Sequence, residues 1–163
     1  MLIKIKKNSN LFFKNFKFKC VLGKNGTKAN KIEGDKATPK GIYTLGKLYY
    51  RNDRLKKINT NLICKKINKT MGWCNDSSSK YYNKEIKINK KIKYEKLFRN
   101  DYKYDLLIVI NYNKNPIIKN RGSAIFLHLT KKYKPTLGCI AIKIEDFIKL
   151  AKFLNKNTKI KIK

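Results

Sequence analysis

The apolar residues of this chain lie in short segments, and most of these segments alternate apolar and polar positions. Ile3 and Ile5 alternate with lysines, as do Phe16 and Phe18. A period of two places the apolar side chains on one face of an extended strand, which is typical of a half-buried β-sheet. The longest uncharged apolar run, 106–110, is far shorter than the roughly 20 residues of a membrane-spanning helix. The pattern therefore predicts a β-rich chain without a membrane span.

Longer apolar runs in the second half of the chain predict strands that are buried on both faces. Residues 105–112 and 123–129 are such runs, and 139–143 predicts a further short strand after a turn. Residues 158–163 alternate Lys and Ile and are expected to form a closing edge strand, because lysines protect an edge from pairing with another chain. Strands are therefore expected to outnumber helices.

Helical signals are few. Residues 147–154 carry the i, i+3, i+4, i+7 apolar spacing of an amphipathic helix, preceded by two acidic residues in the first turn. A second, short helix is expected over 94–99, and residues 23–38 are interpreted as a long polar loop. A length of 163 residues fits one domain with its own core. The sequence predicts a single, mainly β domain over 1–163 with one or two helices.

The chain has a formal net charge of +31, from 41 basic and 10 acidic residues. Only four of the basic residues are arginines, and the lysines are spread along the chain, commonly beside Asn and Ile. Proteins that read base edges favour arginine, and those that follow a phosphate backbone cluster their charge. The lysines are therefore interpreted as a solvated surface and no nucleic-acid partner is expected, although the charge still attracts anionic partners.

The cysteines and the N-terminus indicate a compartment. Cys20, Cys64, Cys74 and Cys139 form no Cys-x-x-Cys pair, and a single histidine does not complete a common zinc set, so no metal or other cofactor is expected. The first residues lack the apolar region and cleavage site of a signal peptide. A reducing cytoplasmic location is expected for the sequence as written, with three cysteines in the core, and a periplasmic one if a leader is missing.

The single histidine, His128, ends one predicted buried strand, and Cys139 follows Gly138 at the turn into the next. Adjacent strands joined by a loop of about ten residues bring the two side chains within hydrogen-bond reach, and an imidazole lowers the pKa of a nearby thiol. Gly138 lets the backbone turn so that its amide and that of Cys139 point at one spot, as in an oxyanion hole. The alternative is a buried histidine and a buried cysteine with only structural roles.

Two separated segments resemble the L,D-transpeptidase (YkuD-type) catalytic domain family. Residues 125–128 read Ile-Phe-Leu-His, and residues 135–142 read Pro-Thr-Leu-Gly-Cys-Ile-Ala-Ile, similar to the family's histidine followed by Ser/Thr-x-Gly-Cys. Residues 33–44 resemble the family's Gly-Asp-x-x-Thr-Pro-x-Gly segment. Shorter segments at 71–83 and 121–126 resemble a signal-less bacterial branch of the family. The likeness extends over most of the chain, from about residue 20 to about residue 155.

The resemblance implies a mixed β-sandwich and a cysteine-dependent acyl transfer on peptidoglycan stem peptides. In the family, the cysteine attacks the carbonyl of a diaminopimelate residue in a tetrapeptide and expels D-Ala, and the acyl group then passes to an amine or to water. Carried over by position, Cys139 is the nucleophile, His128 is its base, and the amides of Gly138 and Cys139 hold the oxyanion. The implied partners are stem peptides or muropeptides, and no cofactor is required.

One position departs from the family pattern, which usually has an Arg two residues after the nucleophile, where this chain has Ala141. Arg121, near the start of the His128 strand, is the candidate for a compensating charge, against the alternative of a solvated arginine. Four further residues are assigned to substrate binding, three of them as a cap over the nucleophile: Thr136, Trp73, Asp76 and Asn83. The alternative for the last three is a local core with an Asp-anchored turn.

Three functions are carried forward from the sequence. The first is an L,D-transpeptidase that transfers the acyl group to an amine. The second is an L,D-carboxypeptidase that uses the same site with water, trimming recycled or precursor tetrapeptides in the cytoplasm. The third, from another class, is a catalytically silent basic module that binds anionic polymers. The chain is expected to be a monomer.

Overall fold

Strands dominate the structure. The computed structural model describes residues 1–6 and 8–163 and contains, within them, fourteen strands and one α-helix. Lys7, which ends the first predicted strand, lies outside the described residues. The elements are β1 (Leu2–Lys6), β2 (Asn10–Phe13), β3 (Phe16–Lys19), β4 (Thr27–Lys28), β5 (Thr38–Pro39), β6 (Gly41–Tyr50), β7 (Cys64–Lys66), β8 (Met71–Cys74), β9 (Glu85–Lys87), β10 (Tyr94–Lys96), β11 (Leu106–Ile110), β12 (Phe126–Leu129), β13 (Ile140–Ile142), α1 (Ile144–Ala151) and β14 (Lys159–Ile162). The mainly β prediction is confirmed.

Nine strands form one mixed sheet in the order β13-β12-β11-β6-β14-β1-β2-β3, with β7 beside β6. Parallel pairing joins β1 to β14, β12 to β13 and β6 to β7, and the other pairs of this sheet are antiparallel. The ten-residue strand β6 pairs with β14 through residues 41–44 and with β11 through residues 45–50. It therefore joins two halves of the sheet, and both halves contribute side chains to one core.

The core follows the period-two pattern of the sequence. Ile3 and Ile5 of β1 and Ile160 of β14 are fully buried, whereas the lysines that alternate with them are not. Helix α1 covers this core with Phe147 and Leu150, both 1% exposed. Each such side chain contributes about 1.5–3 kcal/mol by leaving water. Among the residues that the structure describes, no helix is long and apolar enough to span a bilayer.

Two predicted elements are wrong. Strand β14 lies inside the sheet between β6 and β1, not at an edge. Its Lys-Ile alternation is compatible with either position, because alternation reports only which face is buried. The predicted helix at 94–99 begins instead with strand β10, which pairs with β8. A helix of six residues lacks the length to be stable by itself, and backbone pairing with β8 replaces its hydrogen bonds.

A smaller sheet covers the site-bearing strands. Strands β9, β8 and β10 form an antiparallel sheet in the order β10-β8-β9. Trp73 of β8 packs edge-on against Phe126 of β12, with ring centroids 5.2 Å apart. Cys139 belongs to the same buried cluster. The small sheet therefore packs apolar side chains against the end of the large sheet where the predicted nucleophile lies.

Candidate active site

The pairing of β12 with β13 fixes the spacing between the two predicted catalytic side chains. The strands are parallel, and His128 lies opposite Ala141. Cys139 directly precedes β13, two residues before Ala141, which is a displacement of roughly 7 Å along the strand. Because side chains two residues apart share a face, Cys139 and His128 are on the same side of the sheet. Both line one cavity of about 710 Å³.

The Cys139 thiol is buried and hydrogen-bonded to backbone. Its Sγ accepts a hydrogen bond from the amide of Phe126 at 3.4 Å and donates one to the carbonyl of Ala124 at 3.2 Å. Within the described part of the chain, its acceptor is thus this carbonyl and not the imidazole of His128. Burial raises the pKa of the thiol to about 12. At neutral pH the group is a thiol, and it needs a base before it can act as a nucleophile.

His128 has the protonation state that such a base requires. Its Nδ1 lies 3.0 Å from the carbonyl oxygen of Leu129. A carbonyl only accepts, so Nδ1 carries the hydrogen and Nε2 of the neutral ring is the proton acceptor. Burial lowers the pKa of His128 to about 4, since the charged ring would be desolvated. The imidazole is therefore neutral over the physiological range.

The turn before Cys139 is held by Thr136. Its hydroxyl donates to the carbonyl of Cys139 at 2.6 Å and accepts from the amide of Gly138 at 3.1 Å. Gly138 has φ +139°, in the region that favours glycine. The predicted oxyanion donor at Gly138 is thus bonded to Thr136 in this state, whereas the Cys139 amide has no acceptor among the described residues.

We expect Gly138→Ala to destabilise the protein by about 3 kcal/mol. A Cβ at this position would combine the positive φ with a 3.0 Å contact to the carbonyl oxygen of Ala37. Gly26→Ala is the matched control, since Gly26 has φ +69° but open space around it, and should cost about 1 kcal/mol. Denaturant titration of the two variants measures the difference. Equal losses would mean that the contact with Ala37 does not constrain the turn.

The Gly-Asp-x-x-Thr-Pro segment packs behind this turn. Thr38 accepts a hydrogen bond from the amide of Gly23 at 2.8 Å. Gly23 in turn forms a β-bridge with Thr136, and Val21 forms one with Ala141. The two sequence segments that carry the family resemblance are therefore adjacent in space, one supporting the backbone of the other.

Lys31 is a buried cation beside the turn that the sequence did not single out. It is 3% exposed, and its Nζ donates to Asp35 at 2.5 Å and lies 3.6 Å from the position of a Cβ on Gly138. Burial raises the pKa of Asp35, but hydrogen bonds from Lys31 and the amides of Ala37 and Ile32 outweigh it, so that the pKa is lowered. The ion pair of Lys31 and Asp35 therefore lies beside the turn that precedes the predicted nucleophile.

The other predicted binding residues lie outside the cavity, except Thr136. Arg121 is exposed and does not belong to the cavity lining. Asp76 accepts hydrogen bonds from the amide and hydroxyl of Ser78, which is an Asp-anchored turn away from the cavity. The structure therefore brings together His128, Gly138, Cys139 and Thr136, and leaves Arg121 and Asp76 apart from them.

Trp73 and Asn83 form hydrogen bonds that hold the backbone next to the site. Asn83 Oδ1 accepts hydrogen bonds from Trp73 Nε1 at 3.0 Å and from the amide of Ala124 at 3.2 Å. Its Nδ2 donates to the carbonyls of Tyr112 and Asn113 at 3.0 and 2.7 Å. Asn83 thus ties the small sheet to Ala124, the residue whose carbonyl accepts the thiol hydrogen bond. Neither Trp73 nor Asn83 lines the cavity.

The cavity is lined by more basic than acidic side chains. Its volume is typical of small-molecule sites. The basic residues in its lining are Lys31, Lys36, Arg99, Lys103, Lys132 and Lys134, and the acidic ones are Glu33, Glu95 and Asp101. Within residues 1–6 and 8–163, no group of three or more His, Cys, Asp or Glu side chains is arranged to hold a metal ion. The site favours an anionic organic ligand.

The comparison with protein families decides the assignment. The L,D-transpeptidase catalytic domain, YkuD, matches residues 2–162. The chain belongs to this family. The matching model describes the catalytic domain of the L,D-transpeptidases.

A solved structure shares the fold of this YkuD domain. The chain is similar to Bd1075 of Bdellovibrio bacteriovorus, with a TM-score of 0.50 and 18% sequence identity. The comparison covers 99% of this chain and 47% of Bd1075, so the chain spans about half the length of that protein. At this identity the likeness concerns the fold alone. No match was found among the curated proteins.

Proposed function

We propose that this YkuD domain cleaves the diaminopimelate–D-Ala bond of a peptidoglycan stem tetrapeptide through a thioester on Cys139, and passes the acyl group to an amine. One observation carries the proposal. A buried thiol and a neutral imidazole whose Nε2 is the unprotonated nitrogen line the same cavity, in a domain of the L,D-transpeptidase family.

The first half of the reaction uses both groups. The thiol rotates from the Ala124 carbonyl toward His128, and Nε2 takes its proton while Sγ attacks the diaminopimelate carbonyl carbon. The carbonyl oxygen becomes an oxyanion, for which the amide of Cys139 is the donor. When the C–N bond breaks, the imidazolium gives its proton to the nitrogen of D-Ala, which leaves as an amine. The product is a thioester on Cys139.

The second half restores the enzyme. An amine attacks the thioester carbon and Nε2 accepts the proton of that amine. The C–S bond then breaks and the imidazolium gives this proton to Sγ, which restores the thiol and the neutral ring. Water in the place of the amine gives the same steps and releases a tripeptide, which is the carboxypeptidase reaction. The pKa of about 4 keeps the ring unprotonated when a nucleophile arrives, but it also makes the imidazole a weak base, so the thiol proton is transferred only as Sγ attacks the carbonyl carbon.

Charge supports a stem peptide as the substrate. Such a tetrapeptide carries several carboxylates, and basic side chains outnumber acidic ones around the cavity. The overall charge of +31 raises the local concentration of an anionic peptide. Attraction between exposed charges is screened by salt, with a Debye length of about 8 Å at physiological ionic strength. Binding should therefore weaken as salt is added.

Product analysis tests the proposal. The protein is incubated with a diaminopimelate-containing tetrapeptide and the products are identified by mass spectrometry, beside a control tetrapeptide ending in L-Ala. We expect release of D-Ala with a crosslinked dimer, and no reaction of the control. A tripeptide without dimer would replace the transferase by the carboxypeptidase. No release of D-Ala would contradict both and favour the basic binding module.

A further inference from the structure

A tyrosine and a carboxylate adjoin the predicted catalytic pair. Tyr104 is 5% exposed, and its hydroxyl donates a hydrogen bond to Oε1 of Glu95 on β10. Arg99 lies over the Tyr104 ring at 5.1 Å from its centroid. All three residues line the cavity that contains Cys139 and His128. The sequence pattern predicts a helix over 94–99, which contains Glu95 and Arg99, and gives none of the three residues a role.

The Tyr104 ring contacts the surroundings of both reactive side chains. It packs edge-on against the imidazole of His128, with centroids 5.3 Å apart and planes at 71°. It also packs edge-on against Phe126, with centroids 5.8 Å apart, and the amide of Phe126 is the donor to Cys139 Sγ. Edge-to-face pairs have a preferred geometry, so they restrict the orientation of the imidazole.

We propose that Tyr104, fixed by Glu95, is a positioning residue for the Cys139–His128 pair. The ring keeps the plane of the imidazole in place with Nδ1 on the Leu129 carbonyl, so that Nε2 is the nitrogen available to the thiol. The hydroxyl is held by Glu95 next to the cavity wall where Cys139 lies. The expected effect of Tyr104 on peptide turnover rests on the proposed function. Its expected effect on the reactivity of the Cys139 thiol does not, because alkylation needs no peptide substrate.

The electrostatics of the thiol agree with this placement. Burial raises the pKa of Cys139, and Glu95 adds to that rise, whereas the Phe126 amide and the Tyr104 hydroxyl lower it. Burial also raises the pKa of Glu95. Burying a carboxyl group costs free energy unless the group is hydrogen-bonded. The packing of the apolar core therefore does not explain why Glu95 is at this position. The titratable and charged groups that face Tyr104 are Glu95, Arg99, His128 and Cys139.

The chain contains a matched control pair outside the cavity. Tyr49 is 3% exposed, and its hydroxyl donates to Oε2 of Glu85 at 2.6 Å. Neither residue lines the cavity. Tyr49→Phe therefore removes a tyrosine–glutamate hydrogen bond of similar burial from the same apolar cluster, at a residue that does not line the cavity. It separates a loss of stability from a loss of positioning.

The test is the rate of Cys139 alkylation by iodoacetamide as a function of pH, followed at each cysteine by peptide mass spectrometry. In Tyr104→Phe we expect this rate at neutral pH to fall about ten-fold, the effect of a rise of about one unit in the thiol pKa. Where peptide turnover is measured, kcat should fall by a similar factor with KM little changed. Glu95→Gln keeps an acceptor for the Tyr104 hydroxyl and removes the charge that raises the thiol pKa, so its alkylation rate should be at least that of the parent.

The double variant Tyr104→Phe with Glu95→Gln should react no more slowly than Tyr104→Phe, because it also lacks the carboxylate that raises the thiol pKa. Tyr49→Phe should alkylate Cys139 at the parent rate, whatever its melting temperature. A Tyr104→Phe protein with the parent's rate and pH profile would overturn the proposal. A parent that alkylates as expected but releases no D-Ala would contradict the proposed function and leave the positioning role standing on the alkylation rates.

Discussion

Cys139→Ala removes the proposed nucleophile, and we expect it to lower the rate of D-Ala release by at least about a thousand-fold. The cavity and its charges remain, because the change deletes one sulfur atom from a side chain that is 8% exposed. The variant should therefore still bind the tetrapeptide with a dissociation constant close to that of the parent. Product quantification by mass spectrometry and binding calorimetry measure the two quantities.

Cys64→Ala is the matched control for that experiment. Cys64 is also a free thiol, is half-buried and lies outside the cavity. Its loss should leave the rate of D-Ala release within about two-fold of the parent, as is usual for a substitution that removes no special contact. Turnover in Cys139→Ala at more than a tenth of the parent rate would be incompatible with a thioester on this residue.

His128→Gln removes the proposed base, and we expect a fall of about 10²–10⁴-fold in kcat at pH 7. Glutamine keeps a hydrogen-bond donor that can reach the Leu129 carbonyl, but it does not accept a proton. Steady-state kinetics measure the effect. Recovery of the rate in the variant as the pH rises toward the thiol pKa would show that His128 acts on the thiol proton. A rate loss that is constant across pH would contradict this role and indicate a lost packing contact.

The same variant has a second readout that does not need substrate. The folded pKa of His128 is about 4, below its ordinary value of 6.5, so the unfolded chain binds more protons between these two values. The free energy of unfolding should fall as the pH drops from 6.5 to 4, by about 3 kcal/mol in total. His128→Gln should lack this fall in denaturant titrations. Asp35 has a lowered pKa, so its contribution to stability is fully present above 3.8 and is lost as the pH falls below that value, in a separate window.

Strands that are buried on both faces were predictable because their sequence has no polar interruption. β11 coincides with the apolar run 106–110, and β12 lies inside the predicted 123–129. The order of strands was less accessible. Residues 158–163 have the same alternation whether they pair on one side or on two, so the position of β14 between β6 and β1 follows from long-range pairing alone.

The site was predictable only in part, and the reason is physical. The proximity of His128 and Cys139 follows from consecutive strands that pair directly, which sequence order suggests. The Ala124 carbonyl as the acceptor of the thiol is set by a loop conformation that the residue types do not encode. The burial of Lys31 was not predictable, because nothing in a sequence with this many lysines distinguishes the buried one from the exposed ones.

Tyr104 and Glu95 were missed for a different reason. Their hydrogen bond depends on β10 pairing with β8, and the sequence of that segment was interpreted as a helix. On a helix Glu95 would have faced a different set of neighbours. An error in one short element thus concealed a functional candidate, since side-chain direction follows secondary structure.

The proposed mechanism requires a covalent thioester between the stem peptide and Cys139, and trapping this thioester tests it. The parent protein is mixed with the tetrapeptide, quenched in acid during turnover, and analysed by intact-protein and peptide mass spectrometry. We expect an added tripeptide acyl group on Cys139 that hydroxylamine removes. Release of D-Ala with Cys139 unmodified, or with the acyl group on another residue, would contradict it.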